Sequence, residues 1–122
     1  MKVLIVESRT ALCTLWRRHI ERMGATVWCA AGQGEAARLL CVIPFDAMVL
    51  DLEIAEGSAV ALADFASYRR PDCSVIFVTR RTFFSDGNIF NLFSNVRAYL
   101  PAATDPDDIA ALVEHCATTR LS

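Results

Sequence analysis

KVLIVESRTAL, residues 2–12, runs through four apolar residues, Val3 to Val6, and then meets Glu7, Ser8 and Arg9. A continuous apolar run between polar flanks fits a strand buried on both faces, as in parallel sheets. A carboxylate at the mouth of such a strand is costly unless a cation, a donor or water meets it. Glu7 therefore marks a place where charge has to be answered. Helical spacing starts immediately afterwards, at Leu12.

Outward from this stretch the same rhythm recurs. Strand candidates are Lys2–Val6, Ala25–Ala30, Ala47–Asp51, Ser74–Thr79 and Ala98–Leu100. Five helix candidates follow them, each with apolar residues on one face. The first carries Leu12, Leu15, Trp16, His19, Ile20 and Met23; the second Ala36, Leu39, Leu40 and Ile43. The third carries Ala59, Leu62, Ala63 and Ala66; the fourth Ile89, Phe90 and Phe93; the fifth Ile109, Leu112, Val113 and Cys116. Gly24 stops the first helix. In TDPDDI, residues 104–109, Asp105 is an N-cap, Pro106 takes the first helical position and acids fill the first turn. RRPDCS, residues 69–74, ends the third helix with arginines and a proline. Five strand–helix units predict an α/β fold, a flavodoxin-like doubly wound sheet of five parallel strands in the order 2-1-3-4-5 with five helices. At 122 residues the chain is expected to form a single domain over 1–122.

Composition narrows the function classes. Hydrophobic residues make up 54%, which argues against disorder. A net charge of −2 provides no basic field for nucleic acid or an anionic membrane, so neither is expected as a partner. Of the 12 basic residues only Lys2 is a lysine. The cysteines Cys13, Cys29, Cys41, Cys73 and Cys116 are odd in number and form no CxxC pair, which points to reduced core cysteines in a cytoplasmic protein. No apolar run approaches the roughly 18 residues of a membrane span, and the start of the chain is too short in apolar residues for a signal segment.

In the 2-1-3-4-5 order the first and third strands are neighbours, and ligand chemistry sits at the carboxyl ends of the strands there. The first strand delivers Glu7 and Ser8, the third (FDAMVLDLE, 45–53) Asp51, the fourth (CSVIFVTRR, 73–81) Thr79, and the fifth (RAYLPAA, 97–103) Pro101 and Ala102. Two carboxylates and a hydroxyl from distant segments are expected to converge.

With this constellation the chain resembles the receiver domains of two-component response regulators over nearly all of residues 1–118. The resemblance rests on the strand–helix order, Asp51 after an apolar third strand, Thr79 after the fourth and AYL in the fifth. It implies that Asp51 accepts a phosphoryl group from a histidine kinase or phosphotransfer protein, and that Thr79 is the switch hydroxyl that bonds the phosphoryl oxygen. It implies Mg²⁺ as cofactor, with Glu7 and Asp51 as metal ligands and the Glu53 backbone carbonyl as a further oxygen. It implies no enzymatic activity beyond autocatalytic phosphotransfer to Asp51.

Several positions depart from that pattern. Ser8 stands where the second metal-binding acid belongs, and a neutral hydroxyl is a poor Mg²⁺ ligand, so the metal is expected to bind weakly or not at all. Arg80 replaces the usual small residue after Thr79. Ala102, or Pro101 with a one-residue slip, stands where a lysine belongs. Lys2 cannot substitute, since it lies at the other end of the first strand, about 16 Å from Glu7 at roughly 3.3 Å per residue. Ala55 sits where the family has proline. An arginine, Arg80 or Arg9, is expected to supply part of the missing positive charge.

The competing readings are plain. Asp51 alone could cap a loop, and Thr79 or Glu7 alone would carry little weight. His19 and His115 have no partner histidines at metal spacing, and Trp16 and Trp28 fit the core or its boundary. TFFSDGNIFNLFSNV, residues 82–96, holds Phe83, Phe84, Phe90 and Phe93; either all pack inside, or with Tyr99 they form a protein-partner or homodimer surface on the face of the fourth helix, fifth strand and fifth helix. The chain ends about three residues after the fifth helix, which predicts a stand-alone receiver. The alternative is a phosphorylation-independent interaction or dimerisation module on a receiver fold. A flavodoxin-like nucleotide or flavin binder is disfavoured, because ESRTAL (7–12) lacks a glycine-rich phosphate cradle.

Overall fold

The structure is a computed structural model and describes residues 1–80 and 95–119. Five strands, β1 (Lys2–Val6), β2 (Thr26–Ala30), β3 (Ala47–Asp51), β4 (Ser74–Thr79) and β5 (Val96–Pro101), form one sheet in the order β2-β1-β3-β4-β5. Every pairing is parallel. Helices α1 (Thr10–Glu21), α2 (Gln33–Val42), α3 (Ala59–Arg69) and α4 (Pro106–Thr119) complete the described elements. The last of these is the fifth sequence candidate. The fourth candidate, around Ile89, Phe90 and Phe93, lies outside the described residues, as do Phe83 and Phe84.

Strand residues alternate between the two faces of the sheet. Leu4, Val6, Met48, Leu50, Val75 and Phe77 join α2 and α3 in one core. Val3, Ile5, Val49, Ile76 and Val78 join α1 and α4 in the other. Both faces are covered, which is why β1, β3 and β4 read as unbroken apolar runs.

The capping signals act as the sequence implies. Gly24 has φ +90°, a left-handed conformation that glycine adopts without strain, and it turns the chain from α1 into β2. Asp105 Oδ1 accepts from the Asp107 N–H at 2.9 Å and so caps α4. Arg69 and Arg70, at the end of α3, donate to the last carbonyls of the neighbouring α2. Arg70 Nε lies 2.8 Å from Leu40 O, and Arg69 Nη2 3.0 Å from Cys41 O.

Two expectations need correction. The buried seam of α1 is Cys13, Trp16 and Ile20, whereas Leu15 is exposed. Apolar residues at 12, 13, 15, 16 and 20 allow two faces one position apart, and contact with the sheet selects the one carrying Trp16. β5 also extends from Val96 to Pro101 rather than Ala98–Leu100. As the edge strand it is only half-buried, so its apolar pattern is weak, and its register with β4 shifts at Val75/Ile76. Tyr99 is half-buried against the core that holds Phe77.

Candidate acid pocket at the strand ends

β1, β3 and β4 deliver their terminal residues to one place. The register pairs Val6 with Leu50, Asp51 with Val78 and Thr79 with Pro101. Glu7, Asp51 and Thr79 are all buried. Glu7 extends the sheet by one bond, its N–H donating to Ala30 O at 3.0 Å.

Glu7 is met by Arg9. The Arg9 backbone N–H and Nε donate to Glu7 Oε1 at 2.9 and 3.1 Å, and Nη2 reaches Oε2 at 3.3 Å. The fork therefore occupies both oxygens. This is possible because the chain turns sharply after β1, placing Arg9 as the extended residue before α1.

Asp51 has a different environment. Its Oδ1 accepts the Glu53 backbone N–H, at 3.0 Å. Its Oδ2 is buried, with no hydrogen-bond partner among the described residues. Burial pushes the Asp51 carboxyl up to about 6; the Glu53 N–H pulls against this, and the charge of Glu7 adds to it.

Glu53 brings a third carboxylate, which sequence reasoning had used only as a backbone carbonyl. Its Oε1 accepts from Thr79 Oγ1 at 2.7 Å and from the Arg80 N–H at 3.1 Å. Burial pushes its carboxyl up, but the bonds from Thr79 and Asp51, the Arg80 N–H and the Arg80 charge hold it below the ordinary value. Arg80 Nη2 also lies 3.2 Å from the Glu53 carbonyl oxygen. The only available signal was a third acid two residues beyond Asp51.

Ser8 turns away from the acids. Its hydroxyl donates to Ala31 O at 2.9 Å and accepts the Ala55 N–H at 2.8 Å, tying together the loops that follow β2 and β3. Proline at 55 would have no N–H to give. The serine at 8 and the non-proline at 55 are thus linked through one hydrogen bond. Ala102 lies where expected, beside Thr79, its N–H donating to Thr79 O at 2.6 Å. Lys2 is at the far end of β1, where its backbone N–H meets Asp46.

Mg²⁺ requires near-octahedral oxygen donors. Here both Glu7 oxygens are held by Arg9, the Glu53 carbonyl is covered by Arg80, and Ser8 serves the loops. Asp51 Oδ2 has no hydrogen-bond partner among the described residues. Among the described residues no group of three or more His, Cys, Asp or Glu is placed to hold a metal ion. The donor set as arranged does not fit a resident Mg²⁺.

A buried acid cluster at the switch point of a 2-1-3-4-5 sheet defines a class, the doubly wound α/β domain with chemistry at its strand ends. No family model matches the sequence, and no curated protein does. Solved structures are similar to it. A response regulator receiver domain protein from Methanospirillum hungatei is 21% identical over 98% of this chain and 95% of its own, with a TM-score of 0.88. The N-terminal domain of a response regulator/sensory box/GGDEF three-domain protein from Carboxydothermus hydrogenoformans is 20% identical over 97% and 94%, with a TM-score of 0.85. A response regulator protein from Thermotoga maritima, solved with Mg²⁺ and BeF, is 16% identical over 94% and 97%, with a TM-score of 0.81. The chain has the receiver-domain fold. No helix among the described residues is long and apolar enough to cross a membrane.

Proposed function

We propose that this chain is a receiver module of two-component signalling, with Asp51 at the position that takes a phosphoryl group from a histidine kinase or phosphotransfer protein. The observation that supports it most is the buried Asp51 carboxyl at the end of β3, beside Glu7 and one strand from Thr79, on a receiver fold. The signal would pass to a protein partner. Intact mass and peptide mapping after incubation with Mg²⁺ and a small phosphodonor test this. A phosphoryl adduct on Asp51 that is absent from Asp51→Asn supports phosphotransfer; no adduct under any Mg²⁺ concentration overturns it.

One set of contacts favours a second reading, a receiver fold that works by protein contact without phosphotransfer. Arg9 and Arg80 occupy the oxygens a metal needs, and Glu53 already holds the Thr79 hydroxyl and the Arg80 N–H. On this reading the pocket is closed by the chain's own groups, and any Mg²⁺ binding is weak. An Asp51 adduct formed readily by the wild type would count against it.

A further inference from the structure

α1 and β2 meet at two thiols. Strand alternation turns Val27 and Cys29 toward α1, and Trp28 toward the opposite core, where its ring stands edge-on to Phe45 at 5.5 Å. The buried seam of α1 places Cys13 in the same core cluster, facing the same cavity as Cys29. Both thiols line a cavity of about 300 Å³, together with Thr10, Thr14 and Arg17. Cys13 is buried and Cys29 half-buried, so the cavity is the approach to the pair. Arg17 lies one turn beyond Cys13. Its side chain lines the same cavity as Cys29 and is held by Glu21, with Nε 3.1 Å from Oε2. The acid pocket uses neither thiol, although Glu7 and Ser8 contribute to the same cavity wall.

This is the arrangement of a nucleophile with its partner. Interaction with the Cys13 thiol lowers the Cys29 thiol to about 7 against the effect of burial, and the Arg17 charge lowers it further; the Cys13 thiol is pushed up. Thiolate character at neutral pH, a nearby cation and an open approach are the features of reactive cysteines.

We propose that Cys29 and Cys13 form a peroxide-responsive dithiol, with Cys29 the attacking sulfur and Cys13 the resolving one. The Cys29 thiolate attacks one peroxide oxygen. An S–O bond forms, the O–O bond breaks, and the hydroxide released takes up the proton that Cys29 had given to solvent, leaving water and a sulfenic acid. The Cys13 sulfur then attacks Cys29 Sγ. The S–S bond forms, the S–O bond breaks, and the hydroxyl departs with the Cys13 proton as a second water. The sulfur pair loses two electrons and the peroxide gains them. The product staples α1 to β2 along the wall shared with Glu7 and Ser8, and the inference stands whether or not Asp51 is phosphorylated.

The test uses the whole reduced chain and hydrogen peroxide at one equivalent. A mass loss of two hydrogens, with a peptide map joining Cys13 to Cys29, is expected. In Cys13→Ser, dimedone should trap a sulfenic acid on Cys29. With iodoacetamide at pH 7, Cys29 should react roughly fivefold faster than a thiol of ordinary pKa. Its thiolate fraction is about fifty times larger, and the lower basicity gives back about tenfold in nucleophilicity. Arg17→Gln should slow it severalfold. A wild-type map that joins other cysteines, or no intramolecular link at all, overturns the proposal without relying on any variant; so does a Cys29 alkylation rate no greater than that of the exposed Cys41.

Discussion

Asp51→Asn is expected to stabilise the protein, and only where Asp51 would be charged. The carboxyl is buried, and its pKa rises from 3.8 to about 6. Because the folded value lies above the unfolded one, the folded state binds the proton more tightly. The group is therefore harmless below about pH 4, and its cost grows between pH 4 and 6 and is fully present above that. At about 1.4 kcal/mol per pH unit the rise corresponds to roughly 3 kcal/mol at pH 8. Glu7 and Glu53 share in that cost, and Arg9 and Arg80 are the cations nearest to them, so a gain of about 2–3 kcal/mol is expected from the amide. The assay is urea unfolding followed by tryptophan fluorescence, Trp16 being buried in the α1 seam. With a slope near 1.5 kcal/mol per M, the midpoint of Asp51→Asn should lie about 1.5–2 M above wild type at pH 8 and coincide with it near pH 4. Equal midpoints at pH 8, or a gain of the same size at both pH values, would refute burial of an ionised Asp51 as the source of the strain.

Further outcomes follow from the other contacts. Arg9→Ala removes both side-chain donors from a buried Glu7 and should cost about 2–3 kcal/mol in the same unfolding assay, against under 1 kcal/mol for Arg17→Ala, whose partner Glu21 is exposed. Ser8→Ala breaks the link between the loops after β2 and β3. It should cost about 1–2 kcal/mol and speed amide exchange at Ala55, whose N–H loses its acceptor. Arg80→Ala uncovers the Glu53 carbonyl, and Mg²⁺ titrated against tryptophan fluorescence should then bind severalfold more tightly than to wild type. Glu53→Ala releases the Thr79 hydroxyl and should raise the yield of the Asp51 phosphoryl adduct; an unchanged yield would show that Glu53 does not stand in the way.

Much of the fold could be read because β1, β3 and β4 are buried on both faces. Lys2–Val6, Ala47–Asp51 and Ser74–Thr79 appear in the structure with the ends their apolar runs imply. The edge strand β5 and the seam of α1 were misplaced where burial is partial or where two helical faces offered similar apolar content. In the pocket, positions fixed by strand ends were legible. Glu7, Asp51 and Thr79 come from the end of a strand or the residue after it, and topology alone brings them together. The side-chain bonds of Ser8 and Glu53 were not legible, because they depend on loop conformation. Ser8 bonds partners 23 and 47 residues away, and Glu53 reaches Thr79 across 26 residues. Hydrophobic periodicity carries no information about such pairs.

The charge balance of the pocket ties these residues together. Three carboxylates, Glu7, Asp51 and Glu53, meet two arginines that come from the residues just after β1 and β4. Arg9 forks onto both oxygens of Glu7, and Arg80 attends Glu53 through its N–H and guanidinium. Asp51 has no ion pair among the described residues, and burial pushes its carboxyl up to about 6. Of the two buried carboxylates, the chain answers Glu7 with the Arg9 fork, and Asp51, at the end of β3, has no such ion pair among the described residues. A phosphoryl group, a metal ion or a partner's cation arriving at Asp51 would meet a carboxyl that takes up or gives off a proton near neutral pH. On the proposed function, an occupant of Asp51 would compete with Glu53 for the Thr79 hydroxyl, which Glu53 Oε1 holds at 2.7 Å.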